Sequence, residues 1–156
     1  MKYRSIIKVE FREFDRRVLD KTWEWLHDPE IKNLMYSPDM TRESQLKWFQ
    51  GLKQRNDYFV EAVWRNEDPI GVVGLKNITV DDAEIFGYIG EKEYWGKAIG
   101  MDMMQRLLYH ARSRGLSSVY AQILKINRNS YKLHRRFGFD LESEVDDKTI
   151  KMRLHL

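Results

Sequence analysis

The stretch Gly87-Tyr88-Ile89-Gly90, continued by Glu91 to Tyr94 and by Trp95-Gly96-Lys97-Ala98-Ile99-Gly100, joins a β-type sequence to a helical one. Small residues at 96, 98 and 100 leave backbone amides uncovered where the helix begins. Those N–H groups and the positive end of the helix dipole suit a phosphate group, and Lys97 adds a charge beside it. Small residues at this spacing also ease a tight turn and close helix packing. Alone, the stretch leaves both uses open.

Upstream, Ala83 to about Gly90 reads as a strand. Downstream, a long helix starts near Ala98 and buries Met104, Leu107, Leu108 and Ala111 along one stripe. It ends at Arg112, Arg114 and Gly115, cations in the last turn and a glycine able to turn left-handed. Ser118 to Leu124 is the next strand, so strand, helix and strand form a parallel crossover of right-handed sense. Tyr58 to Arg65 and Pro69 to Asn77 flank the turn-like Asn66-Glu67-Asp68 as a hairpin. Ser5 to Phe14 supplies a first strand. Asp20 is expected to cap a helix carrying Trp23, Trp25 and Leu26, broken at Pro29 and resumed through Met35. Thr41 caps another, with Leu46, Phe49 and Leu52 on one face. A short helix over Arg128 to Phe137 stops at Gly138. Strands near Phe139–Val145 and Thr149–Leu156 close a mixed sheet with helices on both faces.

The 156 residues fit one domain, 1–156, and no repeat or low-complexity linker divides them. Hydrophobic residues at 42% and aromatics at 13% are enough for a folded core. With no cysteine, disulfides, thiolate metal sites and a cysteine nucleophile are excluded. Met1 to Val9 carries Lys2, Arg4 and Lys8 where a signal peptide needs an apolar core. The apolar stretches around Tyr58–Trp64 and Ile70–Leu75 are too short to span a bilayer. The expectation is a cytoplasmic protein without a membrane partner. A net charge of +3, from 27 basic against 24 acidic residues, lacks the field of a dedicated nucleic-acid binder.

A second stretch settles the use of the first. Asn127-Arg128-Asn129-Ser130 opens the last helix, and His134-Arg135-Arg136-Phe137-Gly138-Phe139 closes it. Residues 130, 133, 134 and 137 share one helix face. Leu133 and Phe137 face the core, which puts His134 at that inward edge. Alone, such a histidine serves as a half-buried, hydrogen-bonded structural residue. Together the two stretches resemble the GNAT superfamily of N-acetyltransferases. The family's pyrophosphate motif R/Q-x-x-G-x-G/A falls on Trp95, Ala98 and Gly100. Its second motif, N-x-x-S/A-x-x-L-Y-x-x-x-G-F, falls on Asn127, Ser130, Leu133, His134, Gly138 and Phe139. Trp95 stands for the polar Arg/Gln, as in the branch where W-G-K-G is common. Ala98 stands for a glycine and is expected at negative φ. His134 stands for the tyrosine thought to protonate the leaving thiolate.

The resemblance implies an α+β, GNAT-like three-layer sandwich. Its central mixed sheet, mostly antiparallel, has about six to seven strands with helices on both faces. It implies an acetyl-CoA-dependent N-acetyltransferase without a metal, in which an amine attacks the thioester directly and the enzyme positions and stabilises. The strand before the loop should splay from its neighbour into a V that takes the pantetheine arm. Backbone groups of Tyr88, Ile89 and Gly90 would hold that arm, the loop Trp95, Gly96, Lys97, Ala98, Ile99 and Gly100 the pyrophosphate, and Asn127 and Ser130 the opposite wall. His134, with a reference pKa near ~6.5, would act as general acid or N–H donor to a thiolate of pKa near ~8.5, with Tyr131 or solvent as the alternative proton source. Glu84 and Glu91 are candidate bases for the amine, each equally readable as a plain surface carboxylate.

Trp25-Leu26-His27-Asp28-Pro29-Glu30-Ile31 resembles the W-x-N-D-P-E-I stretch of acetyltransferases acting on amino-sugar nucleotides and of relatives acting on protein N-termini. Trp25, His27, Met35 and Tyr36 are the acceptor contacts this implies, though the tryptophans can equally be core. The acceptor expected first is a nucleotide-linked amino sugar of surface-glycan biosynthesis. A ribosomal or other protein α-amine comes next, then a polyamine or drug amine. Two rivals remain: a CoA-binding fold without catalysis, and a nucleic-acid module using Arg112–Arg114 and Arg135-Arg136. A homodimer through the terminal strands or a sheet edge has no single residue to assign it.

Overall fold

Apolar runs over Phe59–Arg65 (β2) and Asp68–Lys76 (β3), covered on both faces, build the central hairpin. Its turn takes Asn66 through φ 54°, a left-handed conformation that asparagine tolerates. The chain is described by a computed structural model over residues 7–35 and 39–156. Around the hairpin, β1 (Glu10–Glu13), β4 (Asp82–Ile89), β5 (Ser118–Leu124), β6 (Asp140–Glu144) and β7 (Thr149–His155) complete a seven-stranded sheet of order β1-β2-β3-β4-β5-β7-β6. Every neighbouring pair is antiparallel except β4 with β5, which the helix α4 (Ile99–Ser113) connects.

The helices divide between the two faces. α1 (Arg16–His27), α2 (Pro29–Asn33) and α3 (Arg42–Gly51) pack against Ala62, Trp64 and Val72 through Val18, Leu19, Trp25 and Ile31. On the other face α4 and α5 (Arg128–Arg136) cover Val63, Val73, Ile85, Ala121 and Ile123. Because strand side chains alternate, Glu84, Phe86 and Tyr88 belong to the α1–α3 face, and Ile85, Gly87 and Ile89 to the α4–α5 face. Glu61 fastens α4 to the sheet: Arg106 Nε and Nη2 donate to its two oxygens at 2.9 Å each, and His110 Nε2 lies 2.9 Å away. Burial raises the Glu61 pKa, but the hydrogen bond and charge of Arg106 outweigh it and hold the carboxyl below its usual value.

Several boundaries differ from the sequence expectation. The first helix starts at Arg16, not after Asp20, because Asp15 Oδ1 accepts from the Val18 amide at 3.1 Å. Asp20 lies inside that helix and pairs with Arg16 and Arg42. The first strand is shorter than Ser5–Phe14, and residues 1–6 lie outside the described residues. At Pro29 the chain breaks as expected: Asp28 caps the short α2, accepting from the Glu30 amide at 2.9 Å, and Pro29 fills its first turn. Thr41 caps α3 in a reciprocal box with Ser44.

Gly90 sits where β4 leaves the sheet. Its amide donates to the Ile70 carbonyl at 2.7 Å, and a Cβ there would run into the buried Trp25 indole. A side chain can be accommodated only by displacing a core tryptophan, so Gly90→Ala should cost about 2 kcal/mol. That corresponds to a melting temperature roughly 4–8 °C lower, measurable by differential scanning fluorimetry.

Candidate active site

Two strands that begin as neighbours part company at the centre of the sheet. β4 and β5 pair through Asp82↔Ser118, Ala83↔Val119 and Glu84↔Tyr120, and the register stops there. β3 holds β4 as far as Gly71↔Ile89, and β7 holds β5 as far as Leu124↔Thr149. The two strands therefore follow different neighbours and open a V. Residues of both faces line a cavity of about 360 Å³ in this opening, from Leu34, Met35 and Phe86 on one side to Met103, Leu133 and His134 on the other.

The antiparallel ladder decides which backbone groups face the V. The Gly90 amide bonds Ile70, so residues 84, 86, 88 and 90 turn their N–H and C=O toward β3. The Asp81 carbonyl accepts from Ser118 at 3.3 Å, so the odd residues turn toward β5. Past Glu84↔Tyr120, the groups facing the opening are the Ile85 carbonyl, both groups of Gly87 and the Ile89 amide. This corrects the expectation for Tyr88, whose backbone groups face β3, and for the Gly90 amide, which is bonded to Ile70. The Ile89 carbonyl is occupied as well, accepting from Trp95 Nε1 at 2.8 Å. Trp95 thus folds the loop back onto the end of β4.

The start of α4 is unlike that of the other helices. Asp15, Asp28, Thr41 and Asn127 cap α1, α2, α3 and α5 with side-chain acceptors, but Ala98 gives α4 none. The first-turn amides of a helix lack the usual i−4 partner. In α4 the Met101 amide donates back to the Ala98 carbonyl at 3.2 Å, which leaves the Ile99 and Gly100 amides and the positive end of the dipole for an outside acceptor. Gly96 and Ala98 shape this end with φ of 73° and 64°. The expectation that Ala98 stays at negative φ is wrong: its left-handed turn aims the following amides away from the chain. The Ile99 side chain is fully buried, so that residue offers backbone only. Gly100 lies under Leu133, whose Cδ2 would be 3.2 Å from a Cβ there.

His134 is 8% exposed, and its ring stands edge-on to Phe139 at 5.0 Å. Nδ1 lies 2.7 Å from the Ser130 carbonyl, which can only accept, so Nδ1 carries the proton. Burial lowers the ring's pKa, and the bond to Ser130 opposes it only in part. A neutral ring in this tautomer presents Nε2 as a lone pair. That changes the role open to it, because donation to sulfur needs the imidazolium that burial disfavours. Tyr131 is 41% exposed and stands outside the cavity wall.

Glu84 is 4% exposed at the closed end of the V. Its carboxylate accepts from Asn77 Nδ2 at 3.2 Å and Gln122 Nε2 at 3.3 Å, and Lys76 Nζ lies 3.6 Å away. Gln122, Lys76 and Gly87 escaped the sequence reading, since only strand parity brings them to the cavity. Glu91 lies outside the wall: it accepts from Trp25 Nε1 at 3.0 Å and faces Lys21 at 3.6 Å. Its expected role as base is corrected to fastening α1. Trp25 is buried core beneath Gly90, not an acceptor contact. His27 is exposed, bonded to the Trp23 carbonyl at 2.7 Å and stacked on that ring. Met35 lines the cavity, and Tyr36 lies outside the described residues. Asn127 and Ser130 line it too, while Lys97 does not. Among the described residues no cluster of three or more His, Asp or Glu gathers to hold a metal. Nor does any helix there have the length and apolarity to cross a membrane.

A splayed strand pair beside an uncapped helix N-terminus defines a protein that lays an amide-bearing arm with a phosphate head into its sheet. Residues 8–140 match the acetyltransferase (GNAT) domain family, and the chain belongs to it. It is similar to the acetyltransferase PseH of Campylobacter jejuni, at 25% identity over 138 residues, covering 88% of this chain and 86% of that one. The crystal structure of C. jejuni PseH in complex with acetyl coenzyme A superposes with a TM-score of 0.72 at 20% identity, over 95% of this chain and 99% of that one. A domain from Methanocaldococcus jannaschii gives 0.84 at 23% identity, over 96% and 99% of the two chains. Spermidine N-acetyltransferase from Vibrio cholerae, in complex with CoA and spermine, also gives 0.84, at 17% identity over 94% and 95%. The chain is an acyltransferase with acetyl-CoA as donor. Both features of that donor fit: the Gly87 and Ile89 backbone matches its amides, and the α4 N-terminus matches its pyrophosphate.

The left-handed Ala98 carries a steric penalty of about 1–2 kcal/mol that glycine would not, offset in part by glycine's greater chain entropy. Ala98→Gly should therefore stabilise the unliganded protein by roughly 0.5–1 kcal/mol. A higher melting temperature checks it, whereas a lower one would show that the Ala98 methyl has a packing role.

Proposed function

We propose that the acceptor is the amino group of a nucleotide-linked amino sugar, bound against α2 on the α1–α3 face. The observation that carries this is the charge balance of the cavity wall. Its lining carboxylate, Glu84, is already paired with Lys76, and apolar Ile31, Leu34, Met35, Phe86 and Leu124 share the wall with the uncharged Gln122, Asn127, Asn129 and Ser130. A sugar ring bearing one amine presents an apolar face and a few polar groups, which such a wall suits. A polyamine brings several ammonium groups and finds here no surplus of negative charge. The W-L-H-D-P-E-I stretch supports the same class by resemblance, and its fold supplies the wall: Asp28 and Glu30 both bind Lys92, at 2.7 and 2.9 Å, and hold α2 beside the end of β4. A protein α-amine is the second reading, favoured by the same stretch.

In this reading the donor supplies an activated acetyl thioester. The Gly87 and Ile89 amides orient it, the α4 N-terminus holds the pyrophosphate, and the two ionisable walls handle protons from opposite faces. Glu84 receives the incoming amine on the acceptor side. On the donor side His134, proton fixed on Nδ1, takes a proton from solvent at Nε2 and only then has one to pass to the leaving sulfur.

Two measurements test this. A panel of nucleotide-linked amino sugars, N-terminal peptides and spermidine, followed by thiol release, should show turnover with the first class; preference for spermidine would sink the assignment. In the pH profile, the limb carried by His134 should fall as pH rises through its pKa, which burial places below the reference ~6.5, because only the imidazolium has a proton for the sulfur. His134→Gln should remove that limb and lower turnover by about 10²-fold, while the melting-temperature rise with acetyl-CoA persists.

A further inference from the structure

Asn127 joins two helix ends that lie on opposite faces of the sheet. Its Oδ1 accepts from the Ser130 amide at 3.2 Å, capping α5. Its Nδ2 donates across 93 residues of sequence to the Leu34 carbonyl at 3.0 Å, at the C-terminal cap of α2. The last carbonyls of a helix lack intrahelical partners, so one amide satisfies an orphan group at each end. The bond path continues inward, since the Ser130 carbonyl accepts from His134 Nδ1 at 2.7 Å. Leu34, Asn127, Ser130 and His134 all line the one cavity.

We infer that Asn127 is a positioning residue that sets the acceptor wall at Leu34 and Met35 against the helix that carries His134. This rests on the reading that the acceptor lies against α2, and it gives Asn127 a role on the acceptor side. One N–H and one lone pair of its amide are engaged within the chain, and one of each remains. The function needs an amide in particular: an acceptor for the α5 cap and a donor for α2, held on one short side chain.

That requirement separates positioning from plain capping. Asparagine, aspartate and serine cap helices about equally well, and a carboxylate is if anything favoured at a helix N-terminus. Asn127→Asp keeps the cap but turns an oxygen toward the Leu34 carbonyl. Asn127→Ser keeps the cap and is too short to reach Leu34. If Asn127 only caps, both variants behave like the wild type. If it positions α2, the Leu34 and Met35 amides, bonded to Ile31 and Lys32 at 3.1 and 3.2 Å, should exchange about five-fold faster in both variants, as expected for losing one hydrogen bond. The Ser130 amide should keep its protection. The acceptor KM should rise by a similar factor, with kcat within about two-fold.

Unchanged exchange at Leu34 and Met35 overturns the inference. So does faster exchange with an unchanged acceptor KM. Exchange is read without any acceptor, so failure of the amino-sugar assignment is seen separately, in the wild-type panel. The KM comparison is then made with whichever panel amine the wild type acetylates.

Discussion

β4 and β5 share three paired residues, Asp82 to Glu84 with Ser118 to Tyr120, and then each follows its other neighbour. β3 stays with β4 through Ile89, and β7 stays with β5 through Leu124. Neither strand can turn back without breaking an antiparallel ladder. The Ile85 carbonyl and the Gly87 and Ile89 amides consequently face an opening in the middle of the sheet. A backbone polar group left without a partner in such a place costs about 1–3 kcal/mol. Water or a ligand's amides must meet that demand, and a pantetheine arm, with amides of its own, meets it in strand-like fashion.

The helix that follows β4 extends the same logic to charge. Four helices spend a side chain on their first amides, and α4 does not. Its cap is a left-handed alanine, a conformation an L-residue keeps only when its surroundings impose it. Trp95 helps impose it from one side by bonding Ile89, and the fully buried Ile99 does so from the other. The local cost of Ala98 and the missing cap lie at the same point. An anion accepting from those amides would offset both.

Much of this was legible along the chain because it depends on local signals. The hairpin, the break at Pro29, the Thr41 cap and the β4–α4–β5 crossover all follow from residues within a few positions of one another. The candidate site was legible only as a region. Which of Tyr88, Ile89 and Gly90 offers its amide to the V depends on strand parity, and a one-residue slip reverses it. The fate of Glu91 was set by Trp25, 66 residues earlier, and that of Asn127 by Leu34, 93 residues earlier. The φ of Ala98 was misjudged because alanine normally avoids it; the family's glycine there was the better guide to the backbone.

Separating the two ionisable groups onto opposite faces has a chemical consequence. An amine that attacks a thioester must lose a proton, and the sulfur that leaves must gain one. A single residue doing both would have to stand beside both atoms, on one side of the donor. Here Glu84 stands on the α1–α3 face and His134 on the α4–α5 face, with the opening between them. In the proposed reaction Glu84 meets the amine and His134 the sulfur. His134 can serve the sulfur only in a charged state that its burial disfavours, so it holds a proton briefly, while negative charge develops beside it and offsets the cost. A tyrosine at this position would begin with its proton and give it up. A neutral histidine must first acquire one from solvent, at a cost that its burial raises. Both groups must still reach one reacting centre in the opening, so the distance between the two walls matters, and Asn127 bridges the elements that set it.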